Sequence, residues 1–300
     1  MGISLNDAKL LVRIAAKGTS FSKVLTLARQ QIFFRPEELT ESLLGAGVSR
    51  DRTNRFLDLA RDEGSAEPLF EVLGATEITS LDYSDYQGAT IRHDLNLPVD
   101  PKHHRQFDLV FDGGTLEHVF NFPTAVRSAM EMVKPGGAFI SVTPANNQMG
   151  HGFYQFSPEL FYNILSKDNG YRVEAMIAIE LSPANRWYSV ANPAIIGSRV
   201  TLTSFFGVNI FVHAVREEVR EIFAKTPQQS DYTVLWKNDG NRRELESGSS
   251  ETQPARGSGA RHFVKKWIPR ALITAASVVR FGMSSAFGFR NSKFFKRVTG

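Results

Sequence analysis

Short apolar runs that close on a polar residue alternate with longer stretches of helical spacing, and this alternation constrains the chain more than any other feature. The runs are "KVLTL" (23–27), "EITSLD" (77–82), "ATIRHD" (89–94), "FDLVFDGG" (107–114) and "GGAFISVTP" (136–144). Before and between them, Leu5, Ala8, Leu11, Val12 and Ala15 share one helical face. Residues 36–63 read as helix opened by Pro36 and broken at Gly45–Gly47, and "PTAVRSAMEMV" follows at 123–133. Ser157 caps another helix, with Gly170 past its end. Strands alternating with helices predict βα units around a mostly parallel sheet with helices on both faces. "YRVEAMIAIEL" (171–181) and "GVNIFVHAVRE" (207–217) bring the expected strand count to seven.

The composition then changes. Residues 237–260 are almost free of apolar side chains and rich in Ser, Gly and charge, so they are read as a disordered linker between a domain over 1–236 and a tail over 261–300. The tail holds nine Lys/Arg and no Asp/Glu, while the rest of the chain holds 26 Lys/Arg against 31 Asp/Glu. The basicity therefore belongs to the tail, and nucleic acid is disfavoured as a partner of the domain. Trp267, Phe281 and Phe289 among those cations suit a basic amphipathic helical tail on an anionic membrane surface or docked on the domain. No apolar run reaches the length of a membrane span. No signal peptide is read, and Asn6 breaks the myristoylation pattern. A cytoplasmic setting, with peripheral contact at the inner membrane face, is expected. With no cysteine, thiol nucleophiles, disulfides and thiolate metal sites are excluded.

In parallel sheets ligands bind outside the carboxyl ends of the strands. Arg29, Asp82, Asp94, Asp112–His118 and Thr143–Asn147 all fall at such ends, so a shared polar cleft is expected there. Gly113 and Gly114 would allow close approach to it.

"FDLVFDGGTLEHVFN" followed by "AMEMVKPGGAFISVTP" resembles class I S-adenosylmethionine-dependent methyltransferases over roughly residues 20–215. The resemblance implies a Rossmann-like sheet and S-adenosylmethionine as cofactor. It places Asp82 on the ribose hydroxyls, Tyr83 against the adenine, Asp94 with Leu95 at the adenine amino group, and Asp112, Gly113, Gly114 and Glu117 in the loop under the methionine. The family's first loop is glycine-rich, whereas this chain has "LTLARQ"; that resembles a Leu-Gly-Arg-Gln loop of some bacterial members, with Ala28 for Gly. Leu27 and Arg29 then fall on cofactor-binding positions, Arg29 toward the cofactor carboxylate.

Methyl transfer is an in-line displacement helped chiefly by alignment. A hydroxyl acceptor must also lose a proton, which imidazole can take near neutral pH. His151, in the aromatic stretch "HGFYQF" after the fifth strand, is the candidate base. Glu117 and His118 could instead serve the turn. His103 and His104 are adjacent and read as solvated, so no metal signature is assigned. The expected activity is methyl transfer to a small-molecule or saccharide acceptor at oxygen, a glycan included. The alternative is a catalytically inactive binding or scaffolding module that has lost its cofactor loop. A nicotinamide-dependent oxidoreductase is disfavoured by the missing glycine fingerprint.

Overall fold

The computed structural model describes residues 2–85, 88–230 and 288–298. Its elements run β1 (Gly2–Ile3), α1 (Leu5–Ala16), β2 (Lys23–Leu27), β3 (Gln31–Ile32), α2 (Thr40–Gly45), α3 (Arg50–Glu63), α4 (Glu67–Val72), β4 (Glu77–Asp82), β5 (Ile91–Arg92) and β6 (Phe107–Gly113). There follow α5 (Phe122–Met132), β7 (Val133–Pro144), α6 (Pro158–Ile164), β8 (Tyr171–Glu180), β9 (Trp187–Val190), α7 (Pro193–Ile196), β10 (Val208–Arg216) and β11 (Phe295–Val298).

Local chemistry explains the main boundaries. Ser4 opens α1 with a capping box: its hydroxyl accepts from the Asp7 N–H, and Asp7 accepts from the Ser4 N–H at 2.9 Å. Ser49 and Ser157 cap α3 and α6 with the hydroxyl alone, accepting from the N–H groups of Arg52 and Leu160. Gly64 ends α3 in a left-handed conformation at φ +61°.

The large sheet has nine strands in the order β11-β9-β8-β10-β7-β6-β2-β4-β5. The five from β7 to β5 pair in parallel; from β7 outward each next strand runs antiparallel to its neighbour. Alternate residues of each strand face opposite layers. Leu109 and Phe111 join Leu11, Phe56 and Phe70 under α1, α3 and α4, whereas Val110 and Phe139 pack with Val126, Met130 and Phe161 under α5 and α6. The result is the expected α/β architecture, with β2 at Lys23–Leu27 as anticipated. The sheet exceeds the seven anticipated strands by β9 and β11. The 237–260 linker and most of the 261–300 tail lie outside the described residues. The described end of the tail is a strand, with Phe289 stacked on Tyr188 (centroids 4.1 Å apart) and β11 hydrogen-bonded to β9. A separate parallel pair, β1 with β3, ties the N-terminal residues to the segment just after β2. Among the described residues no helix is long and apolar enough to cross a membrane.

Candidate functional site

The chain leaves β2 outward to β4 and β5, then returns to build β6 and β7 on the other side of β2. The parallel part thus has the doubly wound order, and the gap between the carboxyl ends of β2 and β6 is its switch point, the position where such sheets bind ligands. Every predicted site residue except His151 lies at the carboxyl ends of β2, β4, β5 and β6 or in the loops leaving them. His151 reaches the same end from the loop after β7.

On the β4–β5 side, Asp82 is half-buried and its Oδ1 accepts from the Tyr83 N–H at 2.7 Å. Tyr83 is exposed. Asp94 accepts from the backbone and side chain of Asn96 (2.9 and 2.8 Å), bonds that hold its carboxyl below the usual range. Leu95 is buried in the core. Arg29 is bound to Glu67 (Nε to Oε1 2.7 Å), and its Nη1 points toward Gly88 in the β4–β5 loop. The guanidinium is thus already engaged where the sequence places it on a cofactor carboxylate.

The loop after β2 turns without glycine. Ala28 takes φ +55°, the left-handed region, and its N–H donates to Leu81 O at 2.7 Å. The buried Gln30 folds back, donating to Leu27 O at 2.6 Å, and its amide oxygen lies against Gly113. Leu27 itself is fully buried.

Asp112 is likewise internal. One oxygen accepts from the Thr115 and Leu116 N–H groups (2.8 and 3.2 Å), the other from the Ser141 hydroxyl (2.6 Å). Burial raises its carboxyl, and these bonds oppose the rise. With no exposed surface it braces the β6 loop, in a place where the resemblance implies cofactor contact.

On the β6–β7 side, Gly113, Gly114, Glu117, His118, His151 and Gln148 line a cavity of about 330 Å³, with Asp7, Phe33 and Asn209 on its other walls. Glu117 is 1% exposed, and neither carboxylate oxygen receives a hydrogen bond among the described residues. Burial, then the nearby Asp112 charge, raises its carboxyl. His151 Nε2 lies 3.3 Å from Glu117 Oε1, and the His118 and His151 rings are 5.3 Å apart. Burial and the neighbouring His151 lower the His118 imidazole.

Gly152 explains how these side chains meet. It sits at φ +70°, where a Cβ would come within 2.8 Å of Glu117 O. The next two N–H groups, of Phe153 and Tyr154, donate to that same oxygen. The loop after β7 therefore lies directly on the turn carrying Glu117, setting His151 over its carboxylate. The sequence puts both in the cleft without pairing them. Phe33, which the sequence offers as a residue able to fill the cleft, forms one wall of the cavity; the sequence misses Asp7, in the first turn of α1, and no local pattern signals that contact.

No protein-family model matches the chain, and no curated protein matches it. Solved structures that it resembles include an S-adenosylmethionine-dependent methyltransferase from Mesorhizobium loti (14% identity, 70% of this chain and 98% of that one, TM-score 0.38). Others are the N-methyltransferase NodS from Bradyrhizobium japonicum (12%, 70% and 94%, TM-score 0.35) and a 1,6-didemethyltoxoflavin-N1-methyltransferase from Burkholderia thailandensis (11%, 70% and 80%, TM-score 0.34). These overlaps are too distant to carry an argument about function.

Proposed function

We propose that this chain is an S-adenosylmethionine-dependent methyltransferase acting at oxygen on a small-molecule or saccharide acceptor. One observation carries the reading: the switch point between β2 and β6 separates a carboxylate at the end of β4 from a cavity lined by a buried glutamate that accepts no hydrogen bond among the described residues. A donor with a diol at one end and a cationic centre at the other suits this arrangement. Asp82 would hold the ribose hydroxyls by charge-assisted hydrogen bonds. Tyr83 and the Asp94–Leu95 turn would flank the adenine. Gly113 and Gly114, at the carboxyl end of β6, would floor the passage to the cavity. The Glu117 carboxylate, which accepts no hydrogen bond and has His151 Nε2 at 3.3 Å, suits a nearby cation, because an opposite charge favours the ionised form of a buried carboxyl.

S-adenosylmethionine, when bound, supplies an electrophilic methyl group on a sulfonium. The chain's own residues then have two tasks. The cavity walls hold the acceptor oxygen in line and exclude water, which supplies much of the rate. His151 takes the hydroxyl proton, and Glu117, with Oε1 3.3 Å from the imidazole Nε2, stabilises the imidazolium.

Calorimetric titration with S-adenosylmethionine and S-adenosylhomocysteine, alongside Asp82→Ala, tests this. Micromolar binding that the substitution weakens about tenfold or more, about 1.4 kcal/mol, is expected. No binding of either compound by the parent protein would sink the reading and leave the non-catalytic binding module.

A further inference from the structure

We propose that Glu117, His118 and His151 form a binding site for a divalent transition-metal ion, zinc by preference. One ligand atom from each of the three lies within 4.8 Å of the others. Two observations separate this cluster from a chance grouping of polar side chains. Glu117 is buried with both oxygens lacking a hydrogen bond, an arrangement that costs free energy unless a cation or donor completes it. It also lines the cavity, which has room for a further ligand, while its oxygens are themselves covered, so an ion enters as the loop carrying His151 shifts.

The donor set selects the metal. Two imidazoles and one carboxylate suit zinc and its neighbours, whereas magnesium and calcium prefer oxygen alone. Three protein ligands with an open fourth position is the arrangement of catalytic rather than structural zinc. Tetrahedral zinc, with bonds of about 2.0–2.2 Å, needs ligand atoms roughly 3.3 Å apart, so the cluster must contract. It can do so, because both imidazoles are exposed and His151 lies between Gly150 and Gly152 on the loop that rests on Glu117.

The site does not depend on the methyl-transfer reading; the ion's role does. An acceptor hydroxyl in the open position would lose its proton to solvent more readily. His151 would then serve as ligand, and the metal would replace it in easing deprotonation. Spacing along the chain hid the cluster: Glu117 and His118 adjoin, but His151 lies 33 residues on.

Titrating the chelator-stripped full chain with Zn(II) by calorimetry tests the site, with Co(II) absorption reporting on the coordination. One equivalent at about micromolar affinity or tighter is expected. Glu117→Gln and His151→Ala should each weaken binding by about tenfold or more, while a His103→Ala/His104→Ala control leaves it unchanged. Glu117→Gln replaces an anionic ligand by a neutral one of the same shape, so its melting temperature separates lost binding from lost folding. Absent binding, or equal affinity in the parent and both single variants, overturns the proposal. A zinc result without donor binding would leave the metal site standing and the methyltransferase reading fallen; the reverse would do the opposite.

Discussion

Ala28 turns left-handed at φ +55°, a conformation costing a non-glycine residue about 1–2 kcal/mol. The missing glycine of "LARQ" thus did not remove the turn; alanine makes it under strain. Ala28→Gly should leave the melting temperature nearly unchanged, because relieved strain offsets glycine's larger unfolded-state entropy. Ala28→Val should lower it clearly. Gly113 is the complementary case: a Cβ there would collide with Gln30 Oε1 and come within 2.8 Å of Phe111 Cε1. Gly113→Ala should cost about 1–3 kcal/mol in denaturant unfolding. Combining it with Gln30→Ala should recover part of that loss, and strict additivity would refute the contact. The glycine pair was legible in the sequence as a close approach. That the approaching group is the chain's own Gln30 was not, because a side chain folding back carries no periodic signal.

Strand β10 was legible as an element, but the jobs of its polar residues were not. Arg216, fully buried at its end, donates from Nη1 to the carbonyls of Met130, Glu131 and Val133 and so satisfies the end of α5. Arg216→Ala should destabilise the protein by about 3 kcal/mol, since it leaves the Glu131 carboxylate without its cation and strips a donor from Val133 O, while Met130 O keeps Tyr171 and Glu131 O keeps Arg105. Burial pushes the imidazole of His213 down to about 4. The unfolded chain takes up that proton below about pH 6.5, while the folded protein resists it. Stability from neutral His213 is therefore complete above pH 6.5 and is lost as pH falls toward 4, on the order of 3 kcal/mol in all. Asp7, raised by burial to about 6, acts with the opposite sign. The check is accordingly the difference in unfolding free energy between the parent and His213→Phe, which should shrink across that window. A difference independent of pH would contradict the assignment.

For the molecule as a whole, alternating patterns revealed the parallel half of the sheet because its strands are buried on both faces and each closes on polar residues. The far edge was hidden. β9 is four residues within polar text, and β11 belongs to a segment read from its charge as an amphipathic helix. The cavity likewise draws on Asp7, Glu117, His151 and Asn209, distant in sequence and joined only by tertiary contacts. Deleting residues 288–300 should strip the cover from β9 and break the Phe289–Tyr188 stack. The melting temperature should fall by about 2–4 °C for each kcal/mol lost, with aggregation rising through the bared edge. An unchanged melting temperature would mean that β11 contributes nothing to stability.

The pairing of β11 with β9 also sets an order of events at the ribosome. Val190 is synthesised roughly a hundred residues before Phe295, its partner in the ladder. At translation rates of about 5–20 residues per second, the edge of β9 waits roughly 5–20 s for its cover. During that interval the nascent chain offers an open strand to any neighbour. Expression yield should therefore respond to translation speed and to chaperones that shield strand edges, more than the stability of the finished protein would suggest.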